Sequence, residues 1–254
     1  MEQLTNTSIW KSLEAHAQSL HVFTLQNLDQ QAVAERQVFN VSACNIYLDY
    51  SKQHLTKDTL ALLIKLANAR GLREKIKALM QGDIVNNSEN RPALHTALRA
   101  PDNTTIMINK LDIMPDIIAA RHHMQLIVDK IRRKNWVGFS EKPITDIVNI
   151  GIGGSDLGPR FALKALDAFT TKDLNYHFIS DAEPNSFKNA VEKLNPETTL
   201  FIISSKSFTT HETIYNAKKA IHWIGDHQHD ERHFIAVTAN AEKAHSFGIK
   251  TVLP

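Results

Sequence analysis

Short apolar segments alternate with amphipathic segments from residue 146 to residue 253. The apolar segments have the length and β-branched composition of buried strands, and the segments between them carry apolar residues at helical spacing. This alternation is typical of a parallel sheet with helices on both faces, because each parallel crossover needs a long connection. The predicted strands are 146–150, 175–180, 199–204, 233–238 and 249–253, and the predicted helices are 156–167, 184–193, 210–225 and 241–247.

The part of the chain that precedes this alternation is predicted to be mostly helical. Pro92 suits the first turn of a further helix, and residues 39–50 favour β structure. A polar stretch at 134–143 separates the two parts, so the predicted domains are a helical region at 1–135 and an α/β domain at 136–254. Helical spacing covers residues 4–20, 29–37, 56–70, 72–80 and 115–134.

Composition narrows the classes of function. The chain has 254 residues, 43% hydrophobic and 22% charged, as in an ordinary globular protein. A formal net charge of +2 gives no electrostatic reason for a nucleic-acid or membrane partner. The single cysteine, Cys44, excludes an internal disulfide, and its apolar neighbours predict an inert, buried thiol. No signal peptide or apolar segment of membrane-spanning length is visible, so a cytoplasmic location is predicted.

A glycine-rich turn at 151–158 follows the first predicted strand. Its four glycines allow a tight turn and a close approach of a ligand to the backbone. Ser155 is predicted to be the N-cap of the next helix, and Gly154 precedes it. The N–H groups at the start of a helix attract anions. The turn is therefore interpreted as an anion-binding site.

A second turn, Ser204–Thr210, places five hydroxyls and one lysine between the third predicted strand and a helix. Thr209 and Glu212 have the spacing of a capping box, which predicts a helix start near Thr210. Hydroxyls, backbone N–H groups and an ammonium group are the donors that a phosphate monoester needs. The alternative is a solvated turn with an ordinary helix cap. The glycine turn on a neighbouring strand favours the phosphate interpretation.

Two other kinds of site agree less well with the sequence. A dinucleotide fingerprint would need glycine at position 156, where Asp156 stands and would repel a pyrophosphate at the helix start. Asp181 lies about thirty residues beyond the turn, whereas a ribose-binding acid is expected roughly twenty residues on. The histidines of segment 227–233 include an i, i+4 pair, but the order of residues differs from a zinc motif, and no metal site is predicted.

The two turns carry a resemblance to a known family. Segments 150–159 and 204–213 resemble the two sugar-phosphate loops of the glucose-6-phosphate isomerase family. The resemblance extends through segments 49–52, 91–99 and 234–240 and so covers essentially the whole chain in the order of the family. Two departures are Gln53, where the family usually has asparagine, and Ser207, where it often has threonine. Ser207 keeps the hydroxyl that phosphate binding needs.

The resemblance implies a flavodoxin-like sugar-isomerase (SIS) domain within an α/β protein. It also implies reversible isomerisation of glucose 6-phosphate and fructose 6-phosphate through an enediol, with no cofactor or metal, by a full-length homodimer. Ser205, Ser207 and Thr210 would donate hydroxyls to the phosphate, and Lys206 its charge or backbone N–H. The complete set of substrate-binding residues implied in this way is Gly154, Ser155, Ser205, Lys206, Ser207, Phe208, Thr209 and Thr210.

The catalytic residues of the family are expected beyond Pro254. The arginine of the family's Gly-Gly-Arg-Tyr-Ser segment, the glutamate base, the ring-opening histidine and a downstream lysine all have no counterpart in this sequence. These 254 residues are therefore expected to hold the phosphate-binding half of the site and to be inactive alone. A non-catalytic phosphosugar-binding module and a dinucleotide-binding domain remain as alternatives. The roles of His95, Arg99 and His211 stay open.

Overall fold

The computed structural model of the protein describes residues 3–22, 24, 26, 39–227 and 231–254. Contacts divide the chain into two compact units, Met1–Asp112 and Ile113–Pro254. The helix predicted at 29–37 lies outside the described residues. The division into domains at 135/136 stays a prediction.

The first unit contains three described helices and two small hairpins. His16 of the first helix approaches Thr59 of the second, with 2.7 Å between Nε2 and Oγ1. Gly71 adopts a φ of 61° between the second and third helices, which confirms the predicted helix end there. The helices are α1 Ser8–Leu20, α2 Lys57–Ala69 and α3 Leu72–Gln81, and the strands are β1 Asn40–Ala43, β2 Ile46–Asp49, β3 Met107–Ile108 and β4 Leu111–Asp112.

Two sequence predictions in this unit are wrong. Cys44 is exposed, not buried, because it occupies the turn between β1 and β2 with a φ of 51°. No α-helix begins at Pro92, because Arg91 pairs instead with Asn86 in an isolated β-bridge. The only helical turn that follows in this segment of the described chain is a short 3-10 turn at Ala97–Arg99. Pro92 therefore follows a bridge and does not begin a helix.

The motif at 49–52 forms a local turn in which an aspartate receives two hydrogen bonds from the same serine. The backbone N–H of Ser51 donates to Asp49 Oδ1 at 2.9 Å. Hydrogen bonds from the Ser51 side chain and backbone favour the ionised carboxylate and lower the pKa of Asp49 below its ordinary value.

The second unit is an α/β structure around a five-stranded parallel sheet. The strands lie in the order β6-β5-β7-β8-β9, which is the 2-1-3-4-5 order of flavodoxin-like folds and confirms the predicted fold class. Each of the first four strands in chain order, β5 to β8, is followed by a helix that leads to the next strand. The strands are β5 Asp146–Ile150, β6 Asn175–Ile179, β7 Thr199–Ser204, β8 Phe234–Val237 and β9 Thr251–Leu253, and the helices are α4 Met114–Arg132, α5 Gly154–Ala165, α6 Pro184–Val191, α7 His211–Ile224 and α8 Ala241–Ser246.

Apolar side chains cover both faces of this sheet because successive residues of a strand point to opposite sides. Val148 and Phe201 belong to the larger cluster, which includes residues of α6, α7 and α8. Ile147 and Leu200 belong to the second cluster, which includes residues of α4. The predicted placement of helices on both faces is therefore confirmed. Among the described residues, no helix is long and apolar enough to cross a membrane.

Candidate functional site

The two predicted ligand-binding turns lie side by side at the carboxyl end of the sheet. β5 and β7 are adjacent parallel strands, and Ile150 pairs with Ile203 in their register. Because the chain leaves β5 towards β6 on one side, while β7 lies on the other, the strand order reverses at this point. Ligands of doubly wound sheets bind at such a reversal. The turns at 151–158 and 204–210 therefore lie at the position where a sheet of this kind is expected to bind a ligand.

Gly151 is the tightest point of the glycine turn. A Cβ atom there would lie 2.9 Å from both the Cβ and the carbonyl oxygen of Ser155 and 3.1 Å from the carbonyl oxygen of Ser204. Only glycine lets the backbone of the first turn pass this close to that of the second. Contacts within the protein therefore require glycine at position 151, independently of any ligand.

The predicted cap of α5 is wrong. The N-cap is Gly153, with a φ of 56°, and Ser155 lies inside the first turn. The backbone N–H of Ser155 donates to the carbonyl oxygen of Ile152 at 3.1 Å. Serine is a common N-cap, but here the glycine at 153 takes the positive φ that the turn needs, and the helix starts earlier. The Ser155 side chain is half-buried.

Asp156 does not present an uncompensated charge at the start of α5. The residue is 3% exposed, and Arg160, one helical turn on, binds both of its carboxylate oxygens. The Arg160 Nη2 donates to Oδ1 at 2.8 Å, and its Cζ lies 4.6 Å from the centre of the Phe178 ring. The repulsion of a pyrophosphate inferred from the sequence is therefore weakened by a neighbouring cation.

We expect Arg160→Met to lower the free energy of unfolding by about 2 kcal/mol, because it leaves the buried Asp156 carboxylate unpaired. The loss is no larger because the Arg160 side chain of the wild type is partly exposed to water, which weakens the ion pair. Urea denaturation of the variant measures the loss. Adding Asp156→Asn to the Arg160→Met variant removes the unpaired charge and should restore part of the stability. Equal stability of the Arg160→Met variant and the wild type would show that the pair contributes nothing.

The serine–threonine turn contains two hydroxyl pairs. Ser205 Oγ lies 3.1 Å from Thr210 Oγ1, and Ser207 Oγ lies 2.6 Å from Thr209 Oγ1. Helix α7 begins at His211, close to the predicted start, but its N-cap Thr210 makes no side-chain capping bond. The predicted capping box is wrong because the Thr209 hydroxyl is engaged by Ser207. Four hydroxyl groups are thus gathered around one turn at the start of a helix.

The end of β8 holds this turn in place. The backbone N–H of Ser205 donates to the carbonyl oxygen of Val237 at 3.0 Å, and Ala239 N–H and Thr238 Oγ1 both donate to the carbonyl oxygen of Lys206 at 3.1 Å. Sequence reasoning assigned no role to Thr238. It is 4% exposed, and its only sequence signal is a hydroxyl directly after an apolar strand.

Phe208 has a structural role within the same turn. Its φ is 53°, a left-handed conformation that is unfavourable for a bulky side chain. The ring is 4% exposed and packs edge-on against Phe247, with 5.6 Å between ring centres. Packing thus fixes a turn conformation that the backbone alone would avoid, as found at many functional sites.

The eight predicted substrate-binding residues all lie in these two adjacent turns. Ser205 and Phe208 are buried, and Ser155 and Thr210 are half-buried. His211 opens α7 and is exposed, whereas His95 and Arg99 belong to the first compact unit. The exposed members are Gly154, Lys206, Ser207 and Thr209. Their role in binding stays a prediction.

His233 is a structural histidine. Its Nδ1 lies 2.7 Å from the carbonyl oxygen of Thr199, and its Nε2 accepts a hydrogen bond from the backbone N–H of Phe139 at 2.9 Å. Both ring nitrogens are therefore used inside the protein. Across residues 3–22, 24, 26, 39–227 and 231–254, no group of three or more potential ligands could hold a metal ion.

Comparison with known proteins gives the family. The sequence profile described as "Phosphoglucose isomerase" matches residues 49–253, which is most of the chain and includes both turns. The chain belongs to the phosphoglucose isomerase family. The resemblance inferred from the two turns is thereby confirmed.

Members of this family from several bacteria are similar along the chain. A glucose-6-phosphate isomerase of Legionella pneumophila (strain Lens) is 55% identical over 211 residues, which cover 83% of this chain and 42% of the relative. One of Shewanella sediminis (strain HAW-EB3) is 44% identical over 254 residues, which cover 98% of this chain and 46% of the relative. The chain thus spans less than half the length of these relatives.

A solved structure shares the fold. The crystal structure of a glucose-6-phosphate isomerase from Chlamydia trachomatis D/UW-3/Cx aligns with a TM-score of 0.79 at 23% sequence identity. The alignment covers 99% of this chain and 48% of that chain. The predicted α/β fold with its five-stranded sheet is therefore also that of a solved family member.

Proposed function

We propose that this chain carries the phosphate-anchoring half of a glucose-6-phosphate isomerase, which interconverts glucose 6-phosphate and fructose 6-phosphate. Membership of the family supports the reaction. The observation that carries the assignment of this half is the pair of hydroxyls on Ser205 and Thr210, 3.1 Å apart beside the glycine turn. They lie at the reversal of strand order, where such folds bind ligands.

The phosphate group of the sugar is proposed to lie between the two turns. Ser205, Ser207 and Thr210 would donate hydroxyl hydrogen bonds, and Lys206 would add a positive charge. The backbone of Gly154 and Ser155 would close the other side. Hydrogen bonds to a charged oxygen are stronger than those between neutral groups, which suits a small cluster of hydroxyls to phosphate.

Anchoring the phosphate contributes to isomerisation without taking part in the proton transfer. The reaction moves a proton between C2 and C1 of the open-chain sugar through an enediol, and a base must lie within hydrogen-bond reach of that proton. A phosphate held at the far end of the sugar fixes C1 and C2 in front of the base and lowers the entropic part of the barrier. The base is proposed to come from a part of the enzyme outside these 254 residues.

Titration calorimetry tests the anchoring. We expect the chain to bind fructose 6-phosphate and to bind unphosphorylated fructose far more weakly, because the turns recognise the phosphate. NAD is the control for the dinucleotide alternative. Tighter binding of NAD than of fructose 6-phosphate would reject the proposal in favour of that alternative.

A non-catalytic phosphosugar-binding module is the second candidate, and an activity assay separates it from the first. We expect the purified 254-residue chain to bind phosphosugar without interconverting aldose and ketose. A matched assay of a longer chain that continues the reading frame should show turnover if the chain is half of an isomerase. Turnover by the 254 residues alone would place a base within them. Binding without turnover in the longer chain would favour the module.

We also propose that the complete protein is a cytoplasmic homodimer. The family resemblance supports the dimer, and the charge of its phosphorylated substrates supports the location, because charged sugars do not cross an apolar bilayer unaided. Light scattering of the complete protein measures the number of subunits. Fractionation of the cells that produce it tests the location.

A further inference from the structure

An asparagine lies among the apolar residues of β5. Asn149 is 8% exposed, and its neighbours in register on the adjacent strands are Phe178 and Ile202. Burying an amide without hydrogen-bond partners is unfavourable, so an amide in such a position needs a partner for both its donor and its acceptor. The identity of those partners shows what the residue does.

The two ends of this amide bind different turns of the candidate site. Asn149 Nδ2 donates to the carbonyl oxygen of Ser155 at 3.0 Å. Asn149 Oδ1 accepts a hydrogen bond from Ser204 Oγ, also at 3.0 Å. Ser155 belongs to the first turn of α5, and Ser204 ends β7 directly before Ser205. One side chain therefore bridges the glycine turn and the serine–threonine turn.

A second buried asparagine provides a contrast. Asn216 of α7 is 1% exposed, and its Nδ2 donates to the carbonyl oxygen of Asp181 at 2.6 Å. Its Oδ1 has no hydrogen-bond partner among the described residues. Asn216 thus binds one loop only, whereas Asn149 uses its donor and its acceptor to join two. The double attachment distinguishes Asn149 from an ordinary buried amide.

We propose that Asn149 is a positioning residue that holds the two turns at a fixed separation, so that both can bind one phosphate group. The inference rests on the proposed function for the identity of the ligand. Asn149 acts through Ser155, whose backbone is proposed to contact the phosphate, and through Ser204, which directly precedes Ser205 in the serine–threonine turn. Binding surfaces that are already in place lose less conformational freedom when the ligand arrives, and this preorganisation raises affinity.

Amide hydrogen exchange of the ligand-free chain tests the bridge directly. In Asn149→Ala we expect the N–H groups of Asp156 and Ser205, one in each turn, to exchange about tenfold faster, because local opening becomes easier. Asn149→Asp keeps an acceptor for Ser204 but places a carboxylate oxygen against the Ser155 carbonyl. It should therefore accelerate exchange at Asp156 and leave Ser205 nearly unchanged.

Asn175→Ala is the matched control. Asn175 Nδ2 donates to Asp146 Oδ1 at 3.2 Å, at the opposite end of β5. Replacing Asn175 with alanine removes an asparagine hydrogen bond from the same sheet. The replacement therefore lowers the free energy of unfolding without changing a contact of either turn. We expect no change of exchange at Asp156 or Ser205 beyond the change in the rest of the sheet.

The consequence for the ligand is measured by titration with fructose 6-phosphate. Asn149→Ala and Asn149→Asp should each bind about tenfold more weakly, whereas Asn175→Ala should bind as the wild type does. If Asn149→Ala does not fold, Ser204→Ala tests the same bridge by removing only the hydroxyl. Folding is checked by circular dichroism.

The outcomes separate the two proposals. Unchanged exchange in both turns of Asn149→Ala, or an equal acceleration in Asn175→Ala, would overturn the positioning role even if the wild type binds fructose 6-phosphate. Normal affinity of the folded Asn149 variants would overturn it as well. Coupled acceleration of both turns in a chain that does not bind fructose 6-phosphate would support the bridge and reject the phosphosugar function.

Discussion

Replacing Ser205 and Thr210 together with alanine is expected to abolish binding of fructose 6-phosphate. Each hydroxyl that donates to a charged phosphate oxygen contributes about 1.5–3 kcal/mol, so losing both weakens affinity at least about a hundredfold. Stability should change little, because the two hydroxyls bond each other and are removed together. No buried partner is then left without its hydrogen bond.

A hydroxyl pair outside the two turns provides the control for this double variant. Thr145 Oγ1 donates to Thr198 Oγ1 at 2.9 Å, and both residues directly precede strands of the same sheet, at its opposite end. Thr145→Val with Thr198→Val should leave the affinity unchanged. Calorimetry of the two double variants gives the comparison. Unchanged affinity of the Ser205 and Thr210 double variant would reject the assignment of this turn to phosphate.

Gly151→Val is expected to disrupt the site and lower the free energy of unfolding by about 3 kcal/mol, because the new side chain overlaps atoms that cannot move easily. A Cβ at Gly151 already meets Ser155 and the backbone of Ser204 at 2.9–3.1 Å, and valine adds two further methyl groups. Separation of the two turns relieves the overlap, so phosphosugar binding should be lost as well. Urea denaturation and calorimetry measure the two effects.

Gly154→Ala is the matched glycine variant. A Cβ at Gly154 meets no atom within 4 Å, and the residue lies at the start of α5. Its stability should therefore stay within about 0.5 kcal/mol of the wild type, as is usual for surface substitutions. Its affinity for phosphosugar should fall, because the methyl group occupies the proposed approach of the phosphate. Equal loss of stability in both glycine variants would contradict the close approach at Gly151.

The sequence predicted the strands of the sheet well, because a short apolar segment indicates both burial and a preference for extended backbone. The bounds of β5 and β7 agree with the prediction, and the long helix predicted at 115–134 is α4. Each of these elements carries its own pattern of apolar residues, which reflects its packing. Their parallel direction follows from the helical connections.

Predictions that depended on a single polar residue were less successful. Ser155 and Thr209 are good caps by residue type, but Gly153 and Thr210 take those positions. Ser207 competes for the Thr209 hydroxyl, and a cap propensity contains no information on such a competitor. The charge of Asp156 was misjudged for a similar reason, although Arg160 four residues on was visible in the sequence.

The bridge through Asn149 could not be predicted because its partners are distant or belong to the backbone. An asparagine in an apolar strand signals that some hydrogen bonds must exist, but the sequence does not say with which groups. Ser204 lies 55 positions away and meets Asn149 only when β5 and β7 pair. Cys44 was misplaced because apolar neighbours usually indicate burial, whereas here they belong to an exposed hairpin.

The strand order of the sheet has a consequence for the synthesis of the chain. β5 leaves the ribosome first, β6 and β7 then add to its two sides, and β8 and β9 follow outward in turn. Every new strand finds its neighbour already made, so the slow pairing of distant segments proceeds in the direction of translation. The glycine turn acquires its neighbour with β7, but the serine–threonine turn receives its contacts with Val237 and Ala239 only after β8 has been made.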